Sequence, residues 1–192
     1  MRIIAGSKKG MKLFSPQTQS SRPITDRVKE SLFSVLYKYD LPGGAIVADL
    51  FCGVGSLGLE ALSRGAAFVS FVERDPKVVS TLKRNIEKAG FVEESKVIRA
   101  DAFKIGAPIG SNGHKYDLVF VDPPYAETAD ISERSPLGHL LNVLQSQVMD
   151  QGVAAVRAHQ NTALLDNYGQ FQVIERRRWG TMTVAILQKS RQ

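Results

Sequence analysis

Cysteine, histidine and long hydrophobic runs are all scarce in this chain of 192 residues. The single cysteine excludes an internal disulfide and is typical of a reducing compartment, so we expect a cytoplasmic protein. The three histidines lie far apart without the spacing of metal ligands, so no metal site is expected. No apolar run approaches the roughly 20 residues of a membrane-spanning helix, and the first residues lack the apolar core of a signal peptide.

Acidic residues are scarce in only one part of the chain. The net charge is +6, and residues 1–38 hold eight basic residues against two acidic ones. The other 154 residues carry 17 of each sign, so the whole excess lies in the first fifth of the chain. A basic segment beside a neutral body is typical of a surface that contacts nucleic-acid phosphates, and solvated charge kept for solubility is the alternative. The candidate RNA-contacting residues are Lys8, Lys9, Lys12, Arg22, Arg27 and Lys29.

Hydrophobic patterning divides the chain into a short leading region and a larger α/β region. Residues 2–5 and 11–14 predict a hairpin with a basic tip, and a helix is predicted from about residue 25 to 39. The Pro-Gly-Gly turn at 42–44 then predicts an extension over residues 1–42 and a catalytic domain over residues 43–192.

Apolar strands alternate with helices from residue 45 onward, which predicts a parallel sheet covered on both faces. The last two strands predict a terminal antiparallel hairpin joined across residues 176–181. That join holds three arginines and Trp179, and it predicts either a second basic contact or a turn with a docked indole. The predicted strands are 45–51, 67–72, 96–99, 116–121, 153–157, 171–175 and 182–187, and the predicted helices of this region are 57–63, 76–89 and 137–149.

A glycine-rich loop follows the first of these strands. Gly53, Gly55 and Gly58 have G-x-G-x-x-G spacing, and Glu73 follows Gly53 by 20 residues. This pattern fits a nicotinamide dinucleotide, but close backbone approach and an acid for ribose hydroxyls suit any adenosine cofactor. Asp49 favours S-adenosylmethionine, because a carboxylate there would repel a pyrophosphate and attract an ammonium and a sulfonium. The alternative for Asp49 is an acid satisfied by local amides at a helix N-terminus.

The sequence Asp-Pro-Pro-Tyr comes directly after the apolar run 116–121. Prolines fix φ and lack N–H groups, so their carbonyls are predicted to be free acceptors beside the Asp122 carboxylate. The Tyr125 ring adds a face on which a flat ligand can stack. Acceptors beside a stacking ring suit an exocyclic amino group of a nucleobase, and a turn that merely ends a strand is the alternative. The candidate catalytic residues are Asp122, Pro123, Pro124 and Tyr125.

Three segments together resemble the RsmD family of bacterial methyltransferases. They are residues 22–33 (RPITDRVKESLF), residues 49–66 (DLFCGVGSLGLEALSRGA) and the turn at 122–125. The first segment makes the resemblance specific, because methyltransferases with a glycine loop generally lack it. Two positions depart from the family pattern: Cys52 stands where a small residue is usual, and Ile24 stands where threonine is common. A buried thiol in the loop is expected to pack rather than to act as a nucleophile.

The resemblance implies a fold, a reaction and partners. The fold is a class I methyltransferase of the α/β class, with a seven-stranded, mostly parallel sheet, a C-terminal antiparallel hairpin and a small basic N-terminal extension. The implied reaction transfers a methyl group from S-adenosylmethionine to the exocyclic N2 of a guanine in 16S ribosomal RNA, within the 30S subunit, and a monomer is expected. Carried over by position, the implied cofactor-binding residues are Asp49, Phe51, Gly53, Gly55, Glu73, Arg74, Asp101 and Ala102.

Three alternatives stay open on the residues alone. Methylation of adenine N6 in DNA or RNA would use the same turn, because adenine also carries an exocyclic amine. A nicotinamide-dependent oxidoreductase would use the glycine loop but would leave the turn and the basic segment unexplained. A non-catalytic RNA-binding module would have no use for the three acids Asp49, Glu73 and Asp122.

Overall fold

The computed structural model describes residues 1–15, 24–109 and 113–191. The helices found there are α1 (Asp26–Leu36), α2 (Ser56–Ser63), α3 (Pro76–Ala89), α4 (Ala102–Ile105) and α5 (Pro136–Gln147). The strands are β1 (Ile46–Leu50), β2 (Phe68–Glu73), β3 (Ser95–Arg99), β4 (Tyr116–Val121), β5 (Val148–His159), β6 (Asn167–Tyr168), β7 (Phe171–Trp179) and β8 (Met182–Lys189). No helix within these ranges combines the length and the apolar character that crossing a bilayer requires.

The described strands form a single sheet in the order β3-β2-β1-β4-β5-β8-β7-β6. The first five strands in this order are parallel, and β8, β7 and β6 join them through antiparallel pairs. The predicted α/β class, with a parallel sheet and a terminal antiparallel hairpin, is confirmed. The described sheet has eight strands rather than the predicted seven, because the two-residue β6 is too short to produce a periodic signal.

Helices cover both faces of the parallel strands, which is why those strands are apolar throughout. In β4, Leu118 and Phe120 join an apolar cluster with side chains of α1, α2 and α3. Val119 and Val121 join a second cluster, to which α5 contributes on the opposite face. Successive side chains of a strand point to opposite faces, so each central strand supplies both clusters. The sheet is therefore the middle of three layers.

The terminal hairpin differs from its prediction at the turn. Residues 176–179 lie in β7 rather than in the connection, and Gly180 and Thr181 make the turn. Each of the three arginines there donates to a side chain of the protein: Arg176 to Asp166, Arg177 to Glu175 and Arg178 to Gln160. Two of these charges are therefore ion-paired and the third is hydrogen-bonded along a strand, instead of all three lying on a loop.

The N-terminal arm, residues 1–15, folds back on itself as the predicted hairpin does. Its two segments pair antiparallel through a bridge between Arg2 and Lys12 and through backbone hydrogen bonds such as that from the Ile3 N–H to the Met11 carbonyl, at 2.9 Å, without forming regular strands. Two side chains of the arm, Ile3 and Leu13, are buried in the same apolar cluster as α1 and β4. The arm is thus held both by backbone pairing and by side-chain burial. The division of the chain at residue 42 stays a prediction.

Glu60 on α2 holds the arm against the rest of the protein. Its carboxylate is fully buried and accepts hydrogen bonds from the backbone N–H groups of Ile4 and Ala5, at 2.8 and 3.0 Å. It also pairs with Lys29 Nζ at 3.1 Å and with Arg64 Nε at 2.8 Å. A buried carboxylate is tolerated only when its charge and lone pairs are satisfied. Donors from the arm, α1 and the end of α2 satisfy them here.

This arrangement corrects the prediction that Lys29 contacts RNA. The Lys29 side chain is 1% exposed, and its Nζ also donates to the Arg2 carbonyl at 2.6 Å and to the Ser56 hydroxyl at 3.4 Å. Burial lowers the pKa of Lys29, and the Glu60 charge acts in the opposite direction. The ammonium is needed inside the protein as the counter-ion of Glu60, so it cannot also reach a phosphate.

Replacing Glu60 with Ala is expected to lower the free energy of unfolding by about 3–5 kcal/mol, because the buried Lys29 ammonium loses its carboxylate. Urea denaturation followed by circular dichroism measures the loss. The control is Lys38→Ala, which removes an ion pair with Glu175 whose lysine is 54% exposed. That change is expected to cost no more than about 1 kcal/mol. Equal losses in the two variants would contradict the role given to Glu60.

Candidate active site

A cavity of about 890 Å³ opens at the carboxyl ends of the parallel strands. The chain runs outward from β1 through β2 and β3, then returns to the other side of β1 as β4. Ligands of open α/β sheets bind where the strand order reverses in this way. The structure brings eleven of the twelve predicted cofactor-binding and catalytic residues to this cavity. They are Asp49, Phe51, Gly53, Glu73, Arg74, Asp101, Ala102, Asp122, Pro123, Pro124 and Tyr125.

Gly55, the twelfth, packs behind the cavity instead of lining it. Its φ of 87° is in the left-handed region, and a Cβ there would lie 2.5 Å from the Leu82 side chain of α3. Gly53, with a φ of 56°, does line the cavity, and nothing lies within 4 Å of where its Cβ would be. The two glycines therefore have different roles. Gly53 leaves the backbone open to a ligand, and Gly55 lets the loop pack closely against α3.

Asp49, the fourth residue of β1, is a buried acid with only one oxygen satisfied. Its side chain is 1% exposed, and Oδ2 accepts the Gly58 N–H of α2 at 2.8 Å. Oδ1 is buried without a hydrogen-bond partner among the described residues. Burial raises the pKa of Asp49 to about 8, against the Gly58 hydrogen bond, and the charges of Asp122 and Glu73 add to the rise. Local amides thus account for one oxygen, and the other suits a ligand that brings a cation or a donor.

The acids after β2 and β3 are fixed by backbone amides. Glu73 accepts the Gly53 N–H at 3.1 Å through Oε2, and the Arg74 and Asp75 N–H groups at 2.8 and 2.9 Å through Oε1. Asp101 caps the short α4 by accepting the Phe103 N–H at 3.1 Å. Both carboxylates are therefore held in place at the edge of the cavity without needing a ligand to order them.

One wall of the cavity is aromatic. Phe51 is a non-glycine residue with a φ of 57°, and its ring lies 4.7 Å from the Phe103 ring, centroid to centroid. Such a backbone conformation is uncommon for an aromatic residue. It is found here at the end of β1, where the strand turns into the glycine loop. Sequence reasoning identified Phe51 but missed α4 and therefore Phe103.

The Asp-Pro-Pro-Tyr turn leaves β4 at the opposite side of the cavity. The Asp122 N–H donates to the Leu50 carbonyl of β1 at 3.4 Å, which fixes the turn to the strand beside it. The Pro124 carbonyl accepts the Glu127 N–H at 2.9 Å, so the prediction of two free proline carbonyls is wrong for Pro124. No donor within the described ranges reaches the Pro123 carbonyl.

Two residues of β5 complete this side, and sequence reasoning missed both. Arg157 forms an ion pair with Asp122, and its guanidinium carbon lies 5.8 Å from the centroid of the Tyr125 ring. His159 meets the same ring edge-on, with centroids 5.6 Å apart. Burial raises the pKa of Asp122, and the Arg157 charge and hydrogen bond lower it. The available signal was a cation at the end of an otherwise apolar strand.

Cys52 lines the cavity but is not an activated thiol. It is buried in the glycine loop, and burial raises its pKa well above the ordinary value, with the charges of Asp49 and Glu73 acting in the same direction. The thiolate is the reactive form of cysteine, and it is disfavoured here. The described residues also contain no group of three or more acidic, histidine or cysteine side chains that could hold a metal ion.

The remaining candidate RNA contacts belong to the arm and to α1. Lys9, Lys12 and Arg27 are exposed, Lys8 is half-buried, and Arg22 lies outside the described residues. Lys8 Nζ lies over the Phe91 ring, 5.6 Å from its centroid, so a cation–π contact orients this side chain. The arm also adds Met1 to the cavity wall, and Ile24, just before α1, lines the cavity too. The arm thus runs from the cavity, at Met1, to the far ends of α2 and α3, where Ser63 accepts the Lys8 N–H and Lys88 donates to the Lys12 carbonyl.

Fold and site together define a class I methyltransferase. The solved structure of yhhF from Escherichia coli superposes with a TM-score of 0.82 and 30% identity, and covers 100% of this chain and 99% of that one. The chain belongs to the family described as Conserved hypothetical protein 95, whose model matches residues 1–188. This confirms the resemblance to the RsmD family.

Two relatives show how far the similarity extends. YlbH of Bacillus subtilis (strain 168) is 34% identical over 191 residues, which are 98% of this chain and 99% of that protein. Ribosomal RNA small subunit methyltransferase D of Escherichia coli (strain K12) is 39% identical over 127 residues. That second match spans 65% of this chain and 60% of the Escherichia coli protein.

Replacing Asp49 with Asn is expected to flatten the pH dependence of stability in the ligand-free protein. The pKa of Asp49 is about 8 in the folded state against an ordinary value of 3.8, so the folded state holds this proton more tightly. The carboxyl therefore opposes folding increasingly as the pH rises from about 4 to about 8, and no further above that. Thermal unfolding across this range should show a steeper fall for the wild type than for Asp49→Asn. Asp166→Asn, on an exposed side chain, should keep the wild-type slope.

Proposed function

We propose that this protein transfers a methyl group from S-adenosylmethionine to the exocyclic N2 of a guanine in 16S ribosomal RNA, with the 30S particle as substrate. Membership of the family makes the chain an rRNA methyltransferase that uses S-adenosylmethionine. The observation that carries the proposal is the unpartnered Asp49 oxygen in a cavity that it shares with the Asp-Pro-Pro-Tyr turn. We also propose that the protein acts as a monomer in the cytoplasm.

The residues of the cavity fit this methyl donor. Asp49 Oδ1 would take the ammonium group, and the open backbone at Gly53 would allow close approach of the methionine part. Glu73 would hold the ribose hydroxyls, with Arg74 beside it, and Asp101 with Ala102 would meet the adenine. When bound, S-adenosylmethionine supplies a methyl group on a sulfonium, and the electrons of the broken C–S bond leave on the sulfur. A nicotinamide dinucleotide fits less well, because its pyrophosphate would face the Asp49 carboxylate.

The turn supplies what a guanine amine needs. N2 is a poor nucleophile because its lone pair is delocalised into the ring. If the Asp122 carboxylate and the Pro123 carbonyl each accept a hydrogen bond from one N–H of this amine, the nitrogen is drawn toward tetrahedral geometry. Its lone pair then becomes available. The new C–N bond then forms from that lone pair, and the proton passes to Asp122. The chain thus contributes mainly positioning and electrostatics.

Tyr125 would stack on the base once it has left the RNA helix. Its ring is half-buried and is supported by His159 and Arg157, so its face has a fixed position. Stacking offsets part of the few kcal/mol that a base loses on leaving its stack. Adenine N6 offers the same pair of N–H bonds, so the choice of guanine follows the family resemblance, and the direct experiment is product analysis.

That experiment uses S-adenosylmethionine labelled in its methyl group. The protein is incubated with 30S subunits, with naked 16S rRNA and with DNA, and the nucleic acid is digested to nucleosides. Label in N2-methylguanosine, with 30S subunits as the best substrate, is the expected result. Label in N6-methyladenosine, or transfer to DNA, would overturn the proposal.

Asp122→Ala is expected to abolish methyl transfer while leaving the affinity for S-adenosylmethionine within a few fold. The reason is that Asp122 meets the substrate amine, whereas Asp49 and Glu73 hold the cofactor. Transfer of labelled methyl and isothermal titration with the cofactor measure the two quantities. Glu133→Ala, on an exposed side chain beyond the turn, is the control and should leave both unchanged. Weakened cofactor binding with an intact rate would contradict the role of Asp122.

Replacing Lys8, Lys9 and Lys12 with Ala is expected to weaken RNA binding and to flatten its salt dependence. Each lysine that neutralises a phosphate releases counter-ions, so the slope of log affinity against log salt should fall by roughly 0.7–0.9 for every phosphate that is no longer neutralised. Filter binding across a salt series measures the slope. Lys115→Ala, just before β4 and outside the arm, should leave the slope unchanged. An unchanged slope in the triple variant would show that these lysines are solvated surface charges that do not contact RNA.

A further inference from the structure

Arg157 forms an ion pair with Asp122 at the edge of the cavity. We infer that Arg157 is a positioning residue, which fixes the Asp122 carboxylate so that Oδ1 is committed to the ion pair and Oδ2 is left for the substrate amine. The inference rests on the proposed function, since the amine is that of the target base. It is argued from three features: the ion pair, the aromatic ring above it and the charges around it.

The first feature is the sharing of the Asp122 carboxylate. Val156 pairs with Val121 across β5 and β4, so the next residues, Arg157 and Asp122, leave adjacent strands side by side. Arg157 Nε donates to Oδ1, and the two side chains are only 11% and 18% exposed. In the described part of the chain, Oδ2 receives no hydrogen bond. One oxygen is therefore held and the other is free to accept an N–H from the base.

The second feature is that the same strand supports the stacking ring. Arg157 and His159 are two residues apart on β5, so their side chains leave the same face of the strand. Arg157 lies below the Tyr125 ring at 5.8 Å, and His159 packs on its edge at 5.6 Å. A single strand end thus positions both the acceptor and the stacking surface, which must be in register for one base to use them together.

The third feature is the charge balance around Asp122. The charge of Asp122 raises the pKa of Asp49 on β1. The other charged or titratable groups that line this part of the cavity are Glu127 after the turn and Arg157 and His159 on β5. Burial raises the pKa of Asp122, and the Arg157 charge is the force that opposes the rise. Without Arg157, the carboxyl would hold a proton at higher pH, and it would then be unable to accept the proton of the amine.

The test compares Arg157→Gln with Arg157→Lys in the full chain. Arg157→Gln is expected to lower kcat by about 10- to 100-fold, with little change in KM for 30S subunits, because the base binds but its acceptor is misplaced. The acidic limb of the pH–kcat profile should move up by about one pH unit or more, since a nearby opposite charge shifts a carboxyl by that amount. Arg157→Lys should restore the position of the limb, and only part of kcat, because lysine keeps the charge but not the planar fork.

A readout without RNA keeps the inference separate from the proposed function. The ¹³C signal of the Asp122 carboxyl is titrated in the wild type and in Arg157→Gln, with circular dichroism to verify that the variant is folded. A higher pKa of Asp122 in Arg157→Gln supports the inference even if no methyl transfer to rRNA is found. His159→Gln removes the titratable group two residues further along β5 and should leave the Asp122 titration unchanged. An unchanged Asp122 titration in folded Arg157→Gln, or a change in KM alone, would overturn the inference.

Discussion

Glu60 carries a full negative charge into an apolar interface, and much of the architecture around the cavity follows from neutralising it. The donors that surround it come from the arm, from Lys29 of α1 and from Arg64 just after α2. Displacing any of these segments would remove part of the partners that stabilise this buried carboxylate, which is destabilising. Because α2 begins in the glycine loop, this one carboxylate joins the basic arm to the cofactor side of the cavity. The buried amide of Asn85 makes the same connection a second time, since it bonds both Phe14 of the arm and Val54 of the loop.

The cavity itself is built from acids that the fold does not favour. Asp49 has a buried oxygen without a partner among the described residues, and burial raises the pKa of Asp122 against the charge of Arg157. A protein selected for stability alone would fill such positions with neutral side chains. Their presence at the carboxyl ends of two adjacent strands lowers the stability of the fold. Binding sites commonly contain such destabilising groups, whereas packed cores do not. The positive charge of a bound methyl donor would reverse the sign of that cost at Asp49.

Local signals were enough for the parts of the fold that depend on neighbouring residues. The apolar run of β4, the glycine spacing and the proline turn predicted the sheet, the cavity edge and part of its lining, because each is a short-range pattern with one good structural solution. Partners that come from distant parts of the chain were not predictable in this way. Lys29 looked like any surface cation on an amphipathic helix, and only the fold shows Glu60 beside it. Arg157 lies 35 residues from Asp122, and no periodic pattern relates the two. The two-residue β6 and the four-residue α4 are too short to produce a pattern at all.

The state of Cys52 has a practical consequence for spectroscopy. It is the sole cysteine of the chain, it is buried, and burial keeps its thiol protonated. Maleimide reagents need an accessible thiolate, so they should not react with Cys52. A cysteine introduced at an exposed site such as Lys9 would then be the one position that accepts a fluorophore. The arm can in this way be labelled for distance or anisotropy measurements without first removing a residue from the cofactor loop.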